Sequence, residues 1–184
     1  MISSFKIRMS LFLLIAYIIF LYSTVFVAYD IVKFIEQYIS LNILINIIGS
    51  IFALTISTVF YIKFRFKVKL IYLHLGISLL VIIYSLGFIH FEIEKIHFIE
   101  YIVLGVLIYR AFSFNTEGSM LIILTFILSG FIGTTDEIVQ YFLPNRFFDV
   151  RDIMLNWIGS LLGVYLVSVY TMSKFSKQTS RIEN

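Results

Sequence analysis

The chain has 184 residues, of which 60% are hydrophobic and only 14% charged, with a mean hydropathy of +1.00. A soluble domain is about 45–50% apolar and about 25% charged, so these values exclude an ordinary globular enzyme and point to a membrane protein. The net charge of +3 lacks the basic clustering of a nucleic-acid binder, and the absence of cysteine removes disulfides, zinc–thiolate sites and thiol nucleophiles.

A helical span needs about 20 apolar residues, and six such runs are predicted. Lys6 and Arg8 precede the first, Leu11–Tyr29, which is too long for a signal sequence and lacks an A-x-A cleavage site, so an uncleaved span is expected. Asp30, Lys33, Glu36 and Gln37 then read as a short polar loop. The second span, Leu41–Ile62, carries Asn42, Asn46, Gly49 and Ser50 on one face, a pattern suited to helix packing. A basic loop (Lys63, Arg65, Lys67, Lys69) leads to the third span, Val68–Phe91, with His74 and His90 near its ends. Glu92, Glu94 and Lys95 form a short turn into the fourth, Ile96–Phe114, where His97, Glu100 and Tyr101 share one face by their i, i+3, i+4 spacing. Ser119–Phe142 is the fifth span and Ile153–Met172 the sixth, followed by a polar tail from Lys174. The fold class expected is therefore all-α, a polytopic integral membrane bundle of about six transmembrane helices.

Six spans put the N-terminus, the second and fourth loops and the tail on one side. Ten of the 14 Lys and Arg fall there, against four (Lys33, Lys95, Arg146, Arg151) on the other. Basic loops favour the cytoplasm, so both termini are expected inside. The turn before His97 and the loop between the last two spans are expected at the opposite face.

That last loop and its flanks hold Asp136, Glu137, Gln140, the only proline (Pro144), Arg146, Asp149, Arg151, Asp152 and Asn156 between two apolar runs. Charge beside hydrocarbon is costly and calls for a reason. Asp136 and Glu137 lie one turn before Gln140, Pro144 ends the fifth helix, and Asp149 is suited to cap the sixth. Asp152, Asn156, Gly159 and Gly163 follow at four, three and four residues, one face with close helix approach at the glycines. Two readings stay open. In one, Arg146 pairs with Glu137 or Asp152, Asn156 bonds to Gln140, and the glycines lock the hairpin. In the other, His97, Glu100, Glu137, Gln140, Arg146, Asp149, Asp152 and Asn156 form a ligand site. There Arg146 would grip a phosphate or carboxylate, the acids could hold Mg²⁺ or Ca²⁺ rather than zinc, and His97 with Glu100 could move protons. No G-x-S-x-G, H-E-x-x-H or P-loop is present, and no cofactor is expected.

The block Asp136-Glu137-x-x-Gln140-x-x-x-Pro144-x-Arg146-x-x-Asp149-x-x-Asp152-x-x-x-Asn156-x-x-Gly159-x-x-x-Gly163 resembles the signature of VanZ-like membrane proteins. Lys95-x-His97-Phe98-x-Glu100-Tyr101-x-x-x-Gly105 resembles a second block of that family. Asn145 departs from the glycine often found after the proline. The resemblance covers roughly Val68–Met172 and implies a four-helix core over residues 68–172, two added N-terminal helices over 1–67 and a cytoplasmic tail over 173–184. It also implies the bacterial cytoplasmic membrane and a name-giving member linked to teicoplanin resistance. The partners expected are the lipid bilayer and an anionic lipid or cell-wall precursor head group, with no nucleic acid.

Overall fold

The computed structural model describes residues 4–40, 43–45, 47–49, 51, 52, 55, 56, 76, 92–144, 146 and 148–182. Four long helices stand out: α1 (Ser4–Glu36), α2 (Glu92–Phe112), α3 (Gly118–Tyr141) and α4 (Val150–Ile182). No strand occurs among the described residues. The short described pieces of the expected second span Leu41–Ile62 are helical, whereas its Asn42, Asn46 and Ser50 lie outside the described residues. So do nearly all of the third span Val68–Phe91, with His74 and His90, the basic loop from Lys63 to Lys69, and the expected division at residue 67.

Two helices outrun their apolar stretches. α1 continues through Asp30, Lys33 and Glu36, which were expected in a loop, because no glycine or proline occurs before Gly49 to end it. Lys33 in its last turn also complements the helix dipole. α4 passes Met172 and stays helical to Ile182, so the expected polar tail is a continuation of the helix. Nothing beyond Gly163 breaks it. α3 departs little from expectation: the chain enters through Gly118, whose φ of 62° suits glycine, and leaves just before Pro144.

Among the described residues, three helices are long and apolar enough to cross a membrane: Ser4–Val27, Gly118–Tyr141 and Val150–Ser168, of 24, 24 and 19 residues. Their outer faces carry stripes of exposed apolar side chains at helical spacing: Phe12, Ile15 and Ile19 on α1; Ile123, Ile127 and Phe131 on α3; Met154, Ile158 and Leu161 on α4. In water such stripes would drive aggregation; against lipid they are the solvent-facing surface. Composition, helix length and these faces make the chain a membrane protein.

α2 is the helix the others surround. It carries Glu92, Glu94, Lys95, Glu100 and Arg110, and it buries Phe98, Tyr101 and Leu104 completely. Leu14 and Leu21 of α1 pack on Tyr101, Leu104, Ile108 and Ala111. Leu162 and Leu166 of α4 pack on Phe98 and Ile102. α2 and α4 run in the same direction, since Gly159 meets Phe98 and Gly163 meets Ile102. A Cβ at Gly159 would sit 2.7 Å from the Phe98 carbonyl oxygen, and one at Gly163 would collide with that of Ile102. The Gly159/Gly163 face therefore binds α2, not the hairpin partner α3 as expected, with Gly105 of α2 equally close to the Ser160 backbone.

Candidate functional site

The shared direction of α2 and α4, with α3 antiparallel between them in sequence, brings three helix ends to one end of the bundle. They are the first turns of α2, the last turns of α3 and the first turns of α4. Each arrives with polar side chains that the apolar cores above do not use.

From α3, Gln140 donates through Nε2 to Asp136 Oδ2 and to Glu137 Oε1, both at 3.2 Å, as its one-turn spacing predicts. All three are at most 3% exposed. Glu137 Oε2 accepts the Asp149 N–H at 3.3 Å, which ties the end of α3 to the start of α4. Asp149 is the N-cap: its backbone oxygen accepts the Asp152 N–H at 3.1 Å and its Oδ1 accepts the Arg151 N–H at 2.8 Å. Its Oδ2 accepts from Arg151 Nε and Nη2 at 3.0 and 2.6 Å. These bonds from Arg151 hold the Asp149 carboxyl below the usual carboxylate range. The stabilisation it supplies is therefore present at neutral pH and lost only as acid takes the pH down through that lowered value. Asp149→Ala is expected to lower stability by about 1 kcal/mol, the usual loss for such a cap, read as a fall in the unfolding temperature in detergent.

From α2, His97 and the fully buried Tyr101 face the same region. His97 Nδ1 lies 3.2 Å from Glu100 Oε2, an ion-pair distance, but the alignment does not make a hydrogen bond. From α4 come Asp152 and Asn156, the latter wholly buried beside Gly133 and the Tyr101 ring. His97 and Arg146 lie within electrostatic range of each other and of both Asp136 and Asp152, and Glu137 and Tyr101 lie within range of Asp136.

Buried polar atoms without a hydrogen-bond partner gather here. They are Tyr101 Oη, Asp136 Oδ1, Arg146 Nε and Nη2, Asp152 Oδ1, both amide atoms of Asn156, and His97 Nδ1. Buried polar atoms are nearly always paired, and each orphan costs about 1–3 kcal/mol. These atoms are concentrated at one end of the bundle, where the fold itself leaves their hydrogen bonds unmade.

Several expected pairings are absent. No hydrogen bond among the described residues joins Arg146 to Glu137 or Asp152, and Asn156 makes none to Gln140. Asn156 sits one helix face away, turned towards Gly133 and Tyr101. Asp149 lies at the rim with both oxygens committed to Arg151. The remaining candidates, His97, Glu100, Glu137, Gln140, Arg146, Asp152 and Asn156, come together. Asp136 and Tyr101 join them and were not among the candidates, although Tyr101 follows His97 by one turn and Asp136 precedes Gln140 by one. Among the described residues no group of three or more His, Asp or Glu is disposed to hold a metal ion.

α1 braces the site from behind. Tyr17 donates its hydroxyl to the Glu100 carbonyl at 2.9 Å, and Tyr22 shares a hydrogen bond with the Thr135 hydroxyl at 2.5 Å, next to Asp136.

Compared with known proteins, the chain matches one family model, described as VanZ/LLP1, over residues 9–171. The match takes in α1, which the two motif blocks did not cover. Comparison with curated proteins and with solved structures gives no match.

Proposed function

The chain belongs to the VanZ/LLP1 family, and from that premise we propose that it is a multi-pass protein of the bacterial cytoplasmic membrane that binds a lipid or cell-wall precursor head group. Both termini face the cytoplasm and the polar site opens to the outer side, a reading supported by the ten-to-four division of basic residues. Arg146 receives the anionic part of the head group, since a guanidinium fork matches the oxygens of a phosphate or carboxylate. Asp152, Asn156, His97 and Glu100 contact the remainder. Glu137, Gln140 and Asp149 hold the loop that carries Arg146.

The single observation that carries this is the unpartnered, buried Nε and Nη2 of Arg146 among other orphaned polar atoms. A bundle that used these residues only to lock its helices would have paired them. The biological readout is susceptibility to glycopeptides such as teicoplanin in cells expressing the chain. Arg146→Ala and Glu137→Gln are expected to reach the membrane at wild-type level and to lose any change in susceptibility that the wild type confers. A phenotype that survives both substitutions would sink the proposal.

The 3.2 Å approach of His97 to Glu100 favours a second reading, in which His97 serves as a general base on a lipid-linked phosphate. Turnover of a polyprenyl phosphate by the pure protein would establish it, and no turnover across a broad lipid panel would remove it.

A further inference from the structure

We propose that the head group is zwitterionic, with an anionic phosphate for Arg146 joined to a primary ammonium for Asp136 and Asp152. This rests on the head-group site described above and narrows its ligand.

The orphaned atoms divide by what they need. Arg146 Nε and Nη2 are donors only and require acceptors. Asp136 Oδ1, Asp152 Oδ1 and Asn156 Oδ1 are acceptors and require donors. One phosphate satisfies the first set, since the two N–H groups of a guanidinium edge match two of its oxygens. It makes the second set worse, because a bare anion would face carboxylates of like charge.

Charge points the same way. Among the described residues, Glu100, Asp136, Glu137 and Asp152 lie within electrostatic range of His97, Asp136 and Asp152 also of Arg146, and Asp152 also of Arg151, so carboxylates outnumber cations. Gln140 gives Asp136 and Glu137 one hydrogen bond each but no charge. Asp136 is 3% exposed and takes its side-chain hydrogen bond from the neutral Gln140, so a donor carrying positive charge would stabilise its carboxylate beyond the more distant His97 and Arg146. A primary ammonium brings a full charge and three N–H donors. Sugar hydroxyls would bring donors without charge, and a quaternary ammonium charge without donors. Of these three, the primary ammonium alone meets both demands. The Tyr101 hydroxyl and Asn156 Nδ2, both in fully buried residues, remain to donate to the linking oxygens.

The test uses the full-length protein in detergent with defined lipids, read by native mass spectrometry. Phosphatidylethanolamine is expected to bind about tenfold or more tightly than phosphatidylglycerol or phosphatidylcholine, the scale of one charged hydrogen bond. Asp136→Asn or Asp152→Asn should bring the three lipids to within about threefold of each other, while Arg146→Ala should weaken all of them. Soluble O-phosphoethanolamine that displaces the lipid would identify the amino-phosphate itself as the recognised unit, and failure to displace would place recognition in the intact lipid. Unchanged unfolding temperatures in the two Asn variants guard against misfolding, and Asp152, only partly buried, is the safer of the pair. Equal, Arg146-dependent binding of phosphatidylglycerol and phosphatidylethanolamine would overturn the ammonium while leaving the head-group site standing. Binding of every lipid independent of Arg146 would overturn both.

Discussion

Gly163→Val is expected to leave little folded protein in the membrane. A Cβ at Gly163 collides with the carbonyl oxygen of Ile102, a backbone atom of the central helix that no rotamer change can move. Overpacking a core costs about 1–3 kcal/mol when side chains give way. Here α4 must lift away from α2, and that breaks the packing of Leu162 and Leu166 on Phe98 and Ile102. Total stability is only about 5–15 kcal/mol, so loss of this crossing is decisive. Gly159→Val should act in the same direction, with its Cβ 2.7 Å from the Phe98 oxygen. The measurement is the monodisperse fraction after detergent extraction. Gly76, whose Cβ would meet nothing within 4 Å, is the control and should tolerate alanine. Wild-type yields for Gly163→Val would mean that α2 and α4 do not cross as described.

Arg146→Ala is expected to reduce head-group binding about a hundredfold, and Arg146→Lys to restore only part of it. The estimate follows from the loss of two charged hydrogen bonds at about 1.5 kcal/mol or more each. Lysine keeps the charge but offers a point ammonium in place of a planar fork, which is a poor replacement where two oxygens are held at once. The readout is lipid binding to the purified variants. Equal affinities for wild type and Arg146→Ala would contradict the assigned role.

Much of the site's arrangement was legible from spacing. Asp136 and Glu137 stand one turn from Gln140, and both hydrogen bonds form. Asp149 follows Pro144 and precedes an apolar run, the place of a cap, and it caps. Spacing says which side chains share a face, but not which neighbour that face meets. Gly159 and Gly163 announce a close approach; that the approaching backbone belongs to α2 rather than α3 is set by the assembly of the whole bundle. The same holds for Asn156, which turns to Gly133 and Tyr101 rather than Gln140.

Helix ends show a different shortfall. Hydropathy marks where a chain enters hydrocarbon, whereas a helix can run on through polar residues until backbone or packing stops it. α1 therefore continues through Asp30 and Lys33, and α4 through Lys174, for want of a glycine or proline. The least legible property was the absence of partners. Four carboxylates and two arginines in one stretch suggest ion pairs; Arg151 makes one with Asp149, and only coordinates show that Arg146 makes no hydrogen bond to Glu137 or Asp152.

Whether Arg146 serves a ligand or the fold is decided most directly by the unfolding temperature of Arg146→Ala against wild type in the same detergent, without added lipid. Arg146 Nε and Nη2 make no hydrogen bond, so the alanine variant breaks none and should melt within about 2 °C of wild type. Breaking a buried ion pair costs about 3–5 kcal/mol, which in a chain of this size lowers the midpoint by about 6 °C or more. A fall of that size would contradict the ligand site and make Arg146 a lock between helices.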